Sequence, residues 1–143
     1  MMGFIIALLS GALMSIQGVF NTKVTESSSM WVTASFVQFT ALLVCLGAWT
    51  FTGREPFKEL LTVEPKYLLL GGIAGAAITY TVIKSMDSLG PEGAIMLIVG
   101  AQLITGYLIE LLGAFGVEKT PFSFRKILGL IIMILGIVIF KWK

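Results

Sequence analysis

Polar side chains that could bind a solute lie inside otherwise apolar stretches of this 143-residue chain. Gln38 and Gln102 fall near the centres of two stretches, and Asn21 follows Gln17 by one helical turn on the same face. An amide buried in hydrocarbon without a hydrogen-bond partner is costly, so such groups either join helices together or line a polar cavity. Because four stretches carry them, we expect a cavity lined by Gln17, Asn21, Gln38, Tyr80 and Gln102.

Glu110 is the only carboxylate well inside an apolar stretch. It follows Gln102 by about two helical turns on a similar face, and lies ~10 Å from the centre of its stretch at the rise of an α-helix. At that depth the carboxylate could reach the headgroups and stay ionised. It could also be held in a cavity and exchange protons, which makes Glu110 the candidate for proton coupling.

The side chains needed for most catalytic centres are missing. The chain has no histidine and one cysteine, Cys45, so the usual ligand sets of zinc, copper and haem cannot be assembled from one copy. A Ser-His-Asp set is equally impossible, and no glycine-rich phosphate loop with its lysine is present. The sequence therefore predicts no catalytic residues, metal or cofactor. A formal net charge of +2 without a basic run also argues against nucleic acid as a partner.

Five long apolar stretches must position the polar groups: 3–20, 31–51, 67–83, 95–115 and 127–140. A helix needs ~20 mostly apolar residues to cross a bilayer. The mean hydropathy is +0.96, and 57% of residues are hydrophobic against 13% charged. A soluble domain of this length could not bury that apolar surface. We predict an all-α integral membrane protein in which residues 1–143 form a single domain of five transmembrane helices.

Two connecting segments carry local signals. Gly90 is predicted to break the chain, because Pro91 suits the first position of a helix and Glu92 would complement the helix dipole. Residues 56–63, PFKELLTV, are either a short interfacial helix or a plain polar connector.

The charges in the loops give little orientation preference. Five crossings put the termini on opposite sides, here called side A for the N-terminus and side B for the other. Orientation follows the excess of Lys and Arg, which is six against four. Either one orientation is set by other factors, or the chain inserts both ways and pairs head to tail. Side A holds Arg54, Lys58, Lys66, Lys119, Arg125 and Lys126, and side B holds Lys23, Lys84, Lys141 and Lys143.

Small residues mark candidate faces for close helix packing. Gly71 and Gly75 form a GxxxG pair, and Gly129 and Gly136 lie seven residues apart in the last stretch. Helices in lipid associate through such small faces because there is no hydrophobic drive between them. These four glycines could pack against a helix of the same chain or against a second copy.

The chain resembles the bacterial YdcZ-like family, a five-helix branch of the drug/metabolite transporter superfamily. The resemblance covers nearly the full length and rests on GALMSIQGVFN, GGIAGAAITYTVIKSMDSLGPEGAIMLIVGAQLITGYLIELLGAFG and GLIIMILGIVIF. Its most specific elements are Gln17 with Asn21, the glycine run at 71–75, and Gln102 with the acidic residue eight positions later. The chain departs from the family in having Ala101 before Gln102, Glu rather than Asp at 110, and Ser88 where a basic residue is usual.

The resemblance implies a small secondary transporter in a bacterial inner membrane. Larger members of the superfamily resemble two such units fused in inverted orientation, so the expected partner is a second, inverted copy. The antiparallel homodimer would move an unidentified small organic solute by alternating access. Two alternatives stay open: a non-transporting assembly factor or complex subunit, and an exporter like the small multidrug resistance proteins. Those exporters carry an essential Glu in helix one, where this chain has Gln17.

Overall fold

A computed structural model describes residues 1–141, so that Lys143 of side B lies outside the described residues. The described chain is helical and contains no β-strand. Its helices are α1 (Met2–Glu26), α2 (Met30–Phe51), α3 (Gly71–Leu112) and α4 (Phe124–Lys141). Within residues 1–141, three segments are long and apolar enough to cross a membrane, namely Met2–Glu26, Met30–Phe51 and Lys66–Leu112. These observations confirm the prediction of an all-α membrane protein.

The helix α3 is interrupted at the predicted place. Gly90 has φ 75° and ψ 160°, which is not helical, and Pro91 follows it. Glycine reaches this backbone conformation without the steric cost that a Cβ would impose. The break separates α3 into a first part, residues 71–89, and a second part, residues 91–112. The turns Phe57–Thr62 and Lys66–Leu70 precede α3 as short 3-10 helices, so residues 56–63 are largely helical rather than a plain connector.

The chain divides into two compact units, and the first is Met1–Ser88. In this unit α1 and α2 pack against each other. Their connection is tied by hydroxyl groups, since Thr25 Oγ1 donates a hydrogen bond to Thr33 Oγ1 at 3.1 Å, and Thr33 is 1% exposed. The helix α1 runs six residues beyond the predicted apolar stretch, to Glu26.

Gly18 is where α1 meets the first part of α3 most closely. A Cβ built on Gly18 would clash with the Met86 side chain and lie 3.3 Å from Val82 Cγ1. Met86 is 3% exposed and Ile83 is fully buried. Close approach through a small residue is the usual way that helices pack in lipid. Gly18 was not among the four glycines predicted from the sequence.

The second unit begins at Leu89 and contains the second part of α3 and α4. Gly100 is buried, and a Cβ at this position would lie 3.5 Å from Ile137 Cδ1 and 3.9 Å from Met133 Cε. The turn between the helices needs glycine at 113, which has φ 65° and lies close to Lys119.

We expect Gly18→Leu to destabilise the protein by about 1–3 kcal/mol, the usual cost of overpacking. The reason is that Met86 and Val82 leave no room for a branched side chain. The measurement is the thermal unfolding midpoint in detergent. Gly3→Leu is the matched control, because a Cβ on Gly3 of the same helix meets nothing within 4 Å. Equal midpoints for the two variants would show that this crossing tolerates a large residue.

Candidate functional site

Gln17 and Asn21 line a groove in the first unit. The groove has a volume of about 520 Å³ and lies between α1 and α2, with apolar walls that include Phe20, Phe36 and Val37. Both amides also line a second groove, of about 630 Å³, on the surface of α1. The predicted pair on one helical face therefore shares a site.

Asn21 is the most deeply buried amide of this groove. It is only 9% exposed, and its side chain has no hydrogen-bond partner among the residues that the structure describes. Its backbone carbonyl accepts from Thr25 Oγ1 at 2.9 Å, which is a separate interaction. The amide reaches the groove, so it is available to bind a ligand, a water or a second chain.

Gln38 and Tyr80 lie elsewhere in the first unit. Gln38 is half-buried, and its Nε2 lies 3.6 Å from the position that a Cβ on Gly75 would occupy. The Tyr80 ring stacks on Trp31 with centroids 5.1 Å apart and planes 24° from parallel. Neither residue is among those that line the two grooves around Asn21.

Gln102 and Glu110 line a groove of about 520 Å³ in the second unit, between α3 and α4. Gly106 completes the series at intervals of four residues, which places all three on one face of the helix. The opposite wall is formed by Gly129, Leu130 and Met133.

Lys126 is the partner of Glu110 and was not predicted as a site residue. Its Nζ donates a hydrogen bond to Glu110 Oε2 at 2.7 Å, and the side chains are 46% and 45% exposed. Lys126 Nζ also lies 5.4 Å from the centre of the Tyr107 ring, within the range of a cation–π contact. The sequence had indicated Lys126 only as an orientation charge of side A.

The turn 113–123 brings the ion pair together. The backbone N–H of Gly113 donates to the Glu110 carbonyl at 3.3 Å, and that of Thr120 donates to the same oxygen at 2.9 Å. The N–H of Ser123 donates to Tyr107 Oη at 3.1 Å. These contacts fix the start of α4 beside the end of α3, so that residues sixteen positions apart meet.

Three of the four glycines predicted to pack face open space in the single chain. A Cβ built on Gly71, Gly129 or Gly136 meets nothing within 4 Å, whereas one on Gly75 would lie 3.6 Å from Gln38 Nε2. Gly129 instead lines the groove of the second unit. Contact of these faces with a second copy stays a prediction. Among the described residues no group of three His, Cys, Asp or Glu could hold a metal ion.

A profile of the family described as "Putative inner membrane exporter, YdcZ" matches residues 2–139. The chain belongs to the YdcZ family. It is similar to the "Inner membrane protein YdcZ" of Escherichia coli (strain K12), with 24% identity over 137 residues, which are 94% of this chain and 90% of the relative. No solved structure matches it.

Membership of the YdcZ family identifies the chain as a multi-pass inner membrane protein. The grooves described above therefore belong to a membrane protein. The family is described as an exporter rather than as an enzyme. The apolar helices and the lone polar groups inside them agree with that class of protein.

Proposed function

We propose that this chain is a small secondary transporter that works as an antiparallel homodimer and moves a small organic solute across the inner membrane. The observation that carries the proposal is that amides line a groove in each unit, the mostly buried Asn21 in the first unit and the exposed Gln102 in the second. Transporters of many folds bind their solutes at such polar groups within the membrane.

Five spans are the arrangement that the helix lengths support. The two parts of α3 on either side of Gly90 contain 19 and 22 residues, hence about 29 and 33 Å of helix at 1.5 Å per residue. Each length suits a hydrocarbon core of about 30 Å. In the proposed arrangement, these two parts make five crossings together with α1, α2 and the 18 residues of α4.

A second, inverted copy would cover surface that the single chain leaves open. The buried hydrophobic core of the described chain consists of Ala34, Ile83, Met86 and Ala94. Lipid covers much of the remaining apolar surface, but the open glycines at 71 and 136 favour contact with another backbone. The weak charge bias of six against four is compatible with insertion in both orientations.

In the proposed transporter, Gln17 and Asn21 bind solute in the groove of the first unit, Gln102 binds it in the groove of the second unit, and Glu110 couples its movement to protons. The ion pair with Lys126 favours the ionised carboxylate, so proton uptake by Glu110 requires that Lys126 move away from it during transport. A subunit or assembly factor without transport activity would show no flux in liposomes that contain this protein alone.

The test is to measure solute flux into liposomes that contain the Asn21→Leu or the Gln102→Leu variant. A thermal-shift screen of amino acids, betaines, polyols and lipophilic amines first selects the labelled solute, since a ligand of the folded state raises its stability. We expect both variants to fold, because leucine removes an amide that lacked a partner, and to lose flux to the level of empty liposomes.

Thr81→Val is the matched control. Thr81 Oγ1 donates only to carbonyl groups of its own helix, at 2.9 and 3.1 Å, so the same loss of polarity should leave flux unchanged. Normal flux by both leucine variants would contradict the proposed solute site. Unfolding of either one would instead identify that amide as a structural link between helices.

A further inference from the structure

The groove of the second unit has one polar end and an apolar body. The polar end is the Glu110–Lys126 pair, and the body is formed by Leu103, Leu130 and Met133. Gly106 and Gly129 keep the groove open, because a Cβ on either one meets nothing within 4 Å. At about 520 Å³ the groove falls within the range of ~300–1,000 Å³ that is typical of small-molecule sites.

The polar end is held in place but remains accessible. Tyr107 is fixed by the hydrogen bond from the Ser123 N–H, and Lys126 lies over its ring. Both members of the ion pair are nearly half exposed, so a ligand can reach the Glu110 carboxylate and the Lys126 ammonium. Gln102 lines the same groove two helical turns further along, about 12 Å from Glu110 at the rise of an α-helix.

The charges that line the groove sum to zero, and this selects among ligands. A ligand with a single charge would bind one member of the pair and leave the other without its partner, so it gains less than a ligand that compensates both charges. A zwitterion avoids this cost, since its cationic group binds Glu110 while its anionic group binds Lys126. The apolar part of the groove beside the ion pair would bind a hydrocarbon chain on the same ligand.

We infer that this groove binds a single-chain zwitterionic amphiphile whose headgroup inserts into the Glu110–Lys126 ion pair and whose chain lies along Leu103, Leu130 and Met133. Such a molecule is the solute class that the proposed transporter would carry, so the inference rests on that function for its physiological meaning. Binding itself is an equilibrium property that can be measured without transport.

The test is calorimetric titration of the protein in nanodiscs with N-octylglycine, octylammonium and octanoate. All three probes have an eight-carbon chain, counting the carboxylate carbon of octanoate, and they differ in headgroup charge. We expect the wild type to bind N-octylglycine at least about tenfold more tightly than either singly charged probe. Equal affinity for the three probes, or a preference for a singly charged one, would overturn the inference.

Variants of the pair should change the preferred charge. Lys126→Gln leaves Glu110 alone and should favour octylammonium, whereas Glu110→Gln leaves Lys126 alone and should favour octanoate. A purely structural ion pair would lower stability in both variants without this exchange of preference. Gly106→Leu should fill the groove and prevent binding of all three probes, while Gly3→Leu should bind as the wild type does.

The lipid of the nanodisc distinguishes a free ligand from a membrane lipid. We expect the same N-octylglycine affinity in nanodiscs of zwitterionic phosphatidylcholine and of anionic phosphatidylglycerol. Loss of binding in phosphatidylcholine alone would show that bilayer lipid occupies the groove, and would overturn the assignment to a single-chain ligand. Binding without flux in liposomes would leave this inference standing and contradict the proposed transport.

Discussion

A Glu110→Gln variant is expected to lose pH-driven accumulation of solute while it continues to exchange solute across the membrane. The amide has nearly the shape of the carboxylate and its oxygen can still accept from Lys126 Nζ, but it cannot take up and release a proton. If one proton moves with each solute, a gradient of one pH unit supplies about 1.4 kcal/mol, or roughly tenfold accumulation. In the variant the ratio should fall to one, because exchange without proton coupling only equalises the concentrations on the two sides.

Both activities are measured in proteoliposomes with the solute selected by thermal shift. Exchange is measured at a saturating solute concentration, because loss of the Glu110 charge weakens binding without closing the groove. Glu118→Gln makes the same change at an exposed position outside the groove and should behave as the wild type. Full pH-driven accumulation by Glu110→Gln would remove this residue from the coupling mechanism, whatever the outcome for exchange.

The sequence predicts the all-α membrane class correctly, but it places the end of α1 too early. Hydropathy ends that stretch at Phe20, whereas the helix continues to Glu26. Most of the extra residues are polar and several form local hydrogen bonds, since Thr22 Oγ1 donates to the Gly18 carbonyl at 2.9 Å and Lys23 pairs with Glu26 at 2.8 Å. Hydropathy reports the surrounding solvent, and a helix can extend beyond the lipid where its own side chains support it. The break at Gly90 was predicted correctly, because the backbone conformation that favours glycine there depends only on neighbouring residues.

The candidate sites were predicted one residue at a time and not as contacts. Gln102 and Glu110 share a groove because they share a helical face, which spacing reveals. Lys126 was missed because it lies sixteen residues away, beyond a turn. The sequence nevertheless contained a signal. A short connection between two consecutive helices places the end of the first beside the start of the second. A carboxylate near the end of the first helix can therefore pair with a basic residue at the start of the second. Stacking of Tyr80 on Trp31 has no comparable signal in the sequence.

Reporters fused to the C-terminus of the wild-type chain are expected to show both cytoplasmic and external populations. The Lys and Arg count of six on side A against four on side B gives only a weak preference. Glu55→Lys, Glu59→Lys and Glu118→Lys together would raise side A to nine against four. All three side chains are exposed, so the change should shift orientation without disturbing the packing.

A variant with the opposite bias of Lys and Arg should insert in the opposite orientation. Ser27→Lys, Asp87→Lys and Ser88→Lys, combined with Lys58→Gln and Lys119→Gln, give four positive charges on side A against seven on side B. These side chains are also exposed. An antiparallel dimer needs both orientations, so each variant expressed alone should lose dimer formation and transport. When the two variants are expressed together, dimer formation and transport should both be recovered, because each variant supplies the orientation that the other lacks.

The matched control replaces the same side A carboxylates by glutamine, as Glu55→Gln, Glu59→Gln and Glu118→Gln. This removes the same negative charges but leaves the Lys and Arg count unchanged, and orientation follows that count rather than net charge. We therefore expect both reporter populations and normal transport from the control. A wild-type chain found wholly in one orientation would contradict the antiparallel dimer. So would full transport by the side A lysine variant expressed alone, since it would show that one orientation is sufficient.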